Sequence, residues 1–183
     1  PKTRGAMYDE MNRVLAVMHS VDIEAAGLTS YGKPGSYFSR QLSRWTQQYR
    51  ASELEHVEDI EQLITYLEEN LPEDDGQIAL VHGDFRLDNM MFDMSNLDAP
   101  KVIAVLDWEL STLGHPYADL AYQCMQLRLP SDIAHASGLG GLDRDALGIP
   151  SEEEYVDAYC KRRGIDKIDN WTFYLAFSFF RLA

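Results

Sequence analysis

Between residues 78 and 106 the hydrophobic rhythm of this chain switches from helical to strand-like, and after residue 116 it switches back. Upstream, Met7, Met11, Val14, Leu15 and Met18 recur on one helical face and predict a helix over residues 5–19. A loop around Gly32-Lys33-Pro34-Gly35 follows. Phe38, Leu42, Trp45 and Tyr49 then form an apolar stripe behind Ser36, which reads as an N-cap. Val57, Ile60, Leu63, Ile64 and Leu67 mark a third helix that stops near Asn70 and Pro72. The runs 78–81, 90–92 and 102–106 are short, apolar and partly β-branched, so they predict buried strands. The polar stretch 93–100 predicts a hairpin turn between the second and third.

Helix resumes over about residues 117–127, entered through Gly114-His115-Pro116. Residues 130–150 read as loop. Ser151 and Glu154 form a capping box that opens a helix to about Arg163. Asn170 reads as the cap of a final helix, apolar nearly all round over residues 171–180 and therefore expected to be buried. No repeat is present. The order of patterns predicts one mostly helical α+β unit spanning residues 1–183, its few strands gathered in the middle.

Charge narrows the partners. Asp and Glu number 30 against 16 Lys and Arg, a formal net charge of −14, which excludes nucleic-acid backbones and anionic membrane surfaces as main partners. A cationic substrate is compatible with this balance, although a solvated acidic surface explains it more simply. Cys124 and Cys160 fall on apolar helical positions and read as free, buried thiols of a reducing compartment. No uncharged apolar run approaches the roughly 18 residues a bilayer span needs, and no secretory h-region follows Pro1. The expectation is a cytoplasmic protein.

The chemistry is concentrated in Val81-His82-Gly83-Asp84-Phe85-Arg86-Leu87-Asp88-Asn89. An apolar run breaks there into two acids, an Arg, a His and an Asn, too dense a polar set for packing alone. Eighteen residues after Asn89, another apolar run ends on Asp107. If the intervening runs pair as a hairpin, Asn89 and Asp107 meet at one end of it. An amide oxygen with a carboxylate is a hard-oxygen donor set suited to Mg²⁺, which keeps waters and accepts phosphate oxygens as its other ligands. Kinases use an Asp and an Asn five residues apart and a second Asp after a later strand. Asp84, Asn89 and Asp107 repeat that spacing.

The strings HGDFRLDNMMFD and VIAVLDWELSTLGHPYADLAY resemble the aminoglycoside phosphotransferase family, which shares the protein-kinase fold, and within it the branch fused to acyl-CoA dehydrogenases. The resemblance covers residues 80–122. It implies the C-terminal lobe of a kinase-like fold and an ATP- and Mg²⁺-dependent transfer of the γ-phosphate to a small-molecule hydroxyl. By the same resemblance Asp84 is the catalytic base, Asn89 and Asp107 are metal ligands, and Arg86 meets the transferring phosphate. His82 braces the loop, Asp119 binds the loop backbone, and Met91 and Leu106 lie beneath the adenine. The acceptor it suggests is a metabolic alcohol such as a hydroxyacyl-CoA, with choline-like and homoserine-like alcohols also in range.

Read from the residues alone, Arg86 serves equally as an ion-pair partner of Asp88, and Glu109 faces solvent. Lys33 has no phosphate-loop motif around it and reads as a loop lysine. His115 reads as a loop residue. The Gly-rich loop and the strand Lys of a kinase are missing from the sequence, so the chain reads as a fragment lacking its N-terminal nucleotide-covering lobe and truncated in its last helix. Two other functions compete: a non-catalytic, nucleotide-sensing pseudokinase-like module, and a metal-dependent phosphohydrolase. Intact Asp84, Asn89 and Asp107 argue against the first, and the spacing of His115 and His135 argues against the second. Acceptor selectivity is expected from the helices at 36–70 and the loop at 128–150.

Overall fold

The computed structural model describes residues 1–33, 35–132 and 138–183. Pro34 of the Gly–Pro loop, His135, and residues 133–137 of the candidate selectivity loop lie outside the described residues. The elements are α1 (Lys2–Met18), α2 (Tyr37–Ser52), α3 (Glu58–Glu69), β1 (Ala79–Val81), β2 (Met90–Asp93), β3 (Lys101–Val105), β4 (Thr112–Gly114), α4 (Tyr117–Arg128), α5 (Arg144–Leu147), α6 (Glu152–Arg163) and α7 (Trp171–Leu182). The chain is the mostly helical α+β unit that the pattern order predicts.

Two antiparallel pairs make up the described sheet structure. β2 and β3 form the expected hairpin, with Met90 opposite Val105 and a bulge between Met91 and Phe92. β1 pairs with β4, a strand that periodicity does not reveal because Thr112-Leu113-Gly114 is too short to show alternation. The short α5 is likewise unexpected inside the Gly-rich stretch.

Helix α4 is the centre of the core. Ten of its side chains are buried, from Tyr117 to Leu127, and α6 and α7 pack on it. The apolar α7 buries Phe173, Tyr174, Leu175, Phe177 and Phe180, as its all-round apolar sequence requires. α1 closes the other side through polar locks. Asn12 donates to Tyr155 O at 2.8 Å, Arg162 donates to Asn12 Oδ1 at 2.7 Å, and Glu10 accepts from Val102 N at 3.2 Å. Cys124 and Cys160 are buried and unpaired by disulfide, and burial pushes both thiols up. Among the described residues no helix is long and apolar enough to cross a membrane.

Helix starts divide into two kinds. Ser151 caps α6 with the full reciprocal box that its spacing with Glu154 predicts. Ser36 and Asn170 do not cap with their side chains. Both adopt left-handed backbone, at φ 47° and 57°, where the side-chain oxygen does not reach the first-turn amides. The Ser36 amide donates instead to Asp74 Oδ2 at 2.5 Å.

Candidate active site

The strand β1 ends at Val81, and the chain then turns sharply through His82-Gly83-Asp84. Val81, His82 and Phe85 are fully buried, so the turn is anchored on both sides of Asp84. Gly83 sits at φ +87°, and a Cβ there would stand 2.6 Å from Leu110 O. Only glycine fits.

Asp119, in the first turn of α4, accepts from His82 N at 2.7 Å and from Gly83 N at 2.8 Å. Its Oδ2 also meets His19 Nε2 at 3.3 Å, while His19 Nδ1 meets the Tyr159 hydroxyl at 2.8 Å. Burial pushes the His19 pKa down, against the opposing pull of Asp119. Neutral His19 therefore donates from Nε2 to the carboxylate and accepts the Tyr159 hydroxyl proton at Nδ1. A buried carboxylate with three donors is held rigidly.

The His82 ring links the loop to the hairpin. Its Nε2 donates to Leu106 O at 2.8 Å, and its Nδ1 accepts from Asp84 N at 3.2 Å. The ring packs 4.8 Å from that of Trp108. Asn89 lies in a 3₁₀ turn, Leu87–Asn89, just before β2. Its side-chain amide donates to both the backbone carbonyl and the carboxylate of Asp84, each at 2.9 Å. Both bonds use the nitrogen, so the amide oxygen faces away from Asp84.

Asn89 O accepts from Leu106 N at 2.8 Å, which brings Asp107 to the same end of the hairpin as Asn89. Asp107 is exposed and left-handed, at φ 64°, and opens the 3₁₀ turn Trp108–Leu110. Among the described residues its carboxylate has no hydrogen-bond or ion-pair partner. Asp is one of the few side chains that tolerate this backbone at modest cost.

Arg86 is held loosely. Its Nε stands 3.8 Å from Asp84 Oδ2, its Nη2 3.6 Å from Asp88 Oδ2, and its side chain is 42% exposed. The Nε is buried without a hydrogen-bond partner. Met91 and Leu106 point outward from the hairpin, opposite the inward Met90 and Val105, and are 49% and 42% exposed. His82, Asp84, Asn89 and Asp119 thus touch directly. Asp107 joins them through Leu106, whereas Met91 and Leu106 occupy the neighbouring outer face.

Three further contributors have no assigned role in the sequence reading: Tyr122, the last residue of the recognised string, and His19 and Arg181, which lie far from the loop in sequence and carry no local signal. Burial, reinforced by the nearby Asp84 carboxylate, pushes the Tyr122 hydroxyl up to about 12. Arg181 donates to Gly83 O and lies 5.0 Å over the Tyr122 ring. His115, expected to be a plain loop residue, is buried, stacks on Tyr174 and meets Asp75 Oδ1 at 3.3 Å.

A helical lobe that presents one strand–turn–hairpin with acids at both ends is the architecture of the kinase-like phosphotransferases. The comparisons agree. The chain belongs to the phosphotransferase enzyme family, whose model matches residues 1–172. It is 50% identical over 183 residues to mouse acyl-CoA dehydrogenase family member 10, covering 100% of this chain and 17% of that protein. A solved structure from Ralstonia eutropha, named for the aminoglycoside phosphotransferases, superposes with a TM-score of 0.90 at 49% identity over 98% of this chain and 54% of that one. Aminoglycoside phosphotransferase APH(3'')-Id from Streptomyces rimosus, solved with ADP and streptomycin, shares the fold at TM-score 0.63 and 19% identity, over 97% of this chain and 63% of that one. The chain spans about a fifth of the curated relatives it matches.

Proposed function

We propose that this chain is the catalytic lobe of a small-molecule kinase that moves the γ-phosphate of ATP to an alcohol. The observation that carries the reading is the double hydrogen bond from Asn89 to Asp84, which fixes the carboxylate and leaves the Asn89 amide oxygen free for a metal ion. Asp84 accepts the proton of the acceptor hydroxyl as that oxygen bonds to the γ-phosphorus and the bond to the departing ADP breaks. Arg86, with a buried Nε that makes no hydrogen bond, meets the transferring phosphate. His82 and Asp119 hold the loop, and the outward Met91 and Leu106 supply the apolar floor for adenine.

Asn89 and Asp107 fit Mg²⁺ as a pair of hard oxygen donors. Two such donors leave most of the shell open, which suits an ion that completes it with phosphate and water oxygens. When bound, such an ion neutralises phosphate charge. We assign the nucleotide-covering elements, a Gly-rich loop and a strand Lys, to sequence outside residues 1–183. The protein is read as cytoplasmic.

The acyl-CoA dehydrogenase names of the relatives support a hydroxyl on an acyl-CoA-type metabolite as acceptor. The test is ADP release by the full-length protein with ATP, Mg²⁺ and a panel of hydroxyacyl-CoA, choline-like, homoserine-like and aminoglycoside alcohols. Alcohol-dependent release that Asp84→Ala abolishes is expected. Release with water alone points to a phosphohydrolase, and nucleotide binding without turnover points to a sensor. Transfer that survives Asp84→Ala sinks the reading.

A further inference from the structure

The peptide joining Gly83 to Asp84 sets where the Asp84 side chain leaves the backbone, and it is held at both ends. Its N–H, on Asp84, donates to His82 Nδ1. Its C=O, on Gly83, accepts from Arg181 Nη2. The preceding peptide is fixed by Asp119, which accepts the Gly83 amide. Since Gly83 is the one residue here with left-handed backbone and no side chain to block rotation, the carbonyl is where this turn needs an outside hold.

Arg181 is itself constrained. It projects from the last turn of α7, whose apolar side packs on α4, and its guanidinium lies 5.0 Å over the ring of Tyr122 on α4. Tyr122 is 8% exposed and packs with Met125 and Leu129, so the ring is a fixed platform. The planar guanidinium can stack on that ring and still donate in its own plane, which an ammonium cannot do. The Asp84 carboxylate also lies near enough to this tyrosine to help raise its hydroxyl pKa, so the platform under the arginine adjoins the acid.

We infer that Arg181 is a positioning residue for Asp84, acting through the Gly83 carbonyl from its seat on Tyr122. This rests on the reading of Asp84 as the base. It adds a contributor from the far end of the chain that neither the sequence motif nor the loop's own hydrogen bonds reveal.

The test uses the full-length protein carrying Arg181→Gln, Arg181→Lys or Tyr122→Phe. Displacing a catalytic group by about 1 Å can cost on the order of a hundredfold in rate, so Arg181→Gln is expected to lower kcat by about that factor. The KM for ATP stays within about twofold, because a ground-state binding role would raise KM instead. Arg181→Lys restores the charge and part of the rate. Tyr122→Phe keeps the platform and costs less than Arg181→Gln. A crystal structure of Arg181→Gln is expected to show the Gly83–Asp84 peptide turned and the Asp84 carboxylate drawn away from Asn89.

Unchanged kcat in Arg181→Gln beside an active wild type overturns the inference, as does a rise in KM alone. An Asp84–Asn89 hydrogen bond kept intact in the variant crystal structure overturns it too. That structural readout decides the positioning role even if the wild type transfers no phosphate, an outcome that defeats the base reading instead. Should Arg181→Gln fail to fold, the same comparison is made with Arg181→Lys, which keeps the cation and loses the planar stack.

Discussion

Asp119 accepts the amide hydrogens of both His82 and Gly83, at 2.7 and 2.8 Å, and is itself completely buried. One side chain at the start of α4 thus fixes the two residues that precede Asp84.

Asp119→Ala would leave two buried amides and His19 without their acceptor. Each unsatisfied buried group costs about 1–3 kcal/mol, so a loss of roughly 3 kcal/mol or more is expected in urea unfolding. Asp119→Asn keeps an acceptor oxygen and is expected to lose less. Equal losses for the two would show that the hydrogen bonds are not what stabilises the turn.

Gly83→Ala places a methyl 2.6 Å from Leu110 O on a backbone at φ +87°. Strain of this kind costs about 1–3 kcal/mol, and the turn is expected to shift in relieving it. A lower thermal midpoint together with lost phosphate transfer is the expected pair of results. An unshifted midpoint would contradict the close approach.

Asp107→Asn separates charge from shape. Asn tolerates left-handed backbone as well as Asp does, so stability is expected to hold within about 0.5 kcal/mol. Affinity of the full-length protein for the Mg²⁺–ADP complex, measured by calorimetry, is expected to fall about tenfold or more as the anionic donor is lost. Undiminished affinity would remove Asp107 from the metal site.

Stability is expected to decline as pH falls from 7.5 to 5. Burial lowers the pKa of both His19 and His115 in the folded state, while the unfolded chain titrates near 6.5. Below about pH 6.5 the unfolded state therefore takes up protons that the folded state refuses, and unfolding is favoured. The contribution is fully present above that pH and is lost as pH drops toward the folded values. His56, exposed and raised by Glu58 and Glu53, acts weakly in the opposite sense. His115→Phe is expected to flatten the urea midpoint against pH. An unaltered slope in that variant would assign the pH response elsewhere.

The sequence speaks clearly where structure is local. The β2–β3 hairpin, the α6 capping box and the spacing of Asp84, Asn89 and Asp107 all depend on neighbours within about 25 residues. Ser36 and Asn170 mislead because composition marks a helix start but not the backbone conformation that lets a side chain cap it. His19 and Arg181 were illegible for a different reason. His19 lies 100 residues from Asp119, and Arg181 lies 98 from Gly83, so no window of sequence holds both partners. Arg181 looks like an ordinary basic residue in the last turn of a helix, a position that also favours cations for the dipole.

The contact between Arg181 and Gly83 also orders events during synthesis. The loop around Asp84 is made first, and the group that holds its carbonyl is added 98 residues later. A nascent chain that has emerged only through α6 carries the whole Asp84–Asn89 loop and the exposed face of α4, but not the helix that covers one and steadies the other. The element that completes the turn is made after the loop it completes, so the loop reaches its final shape only when α7 docks.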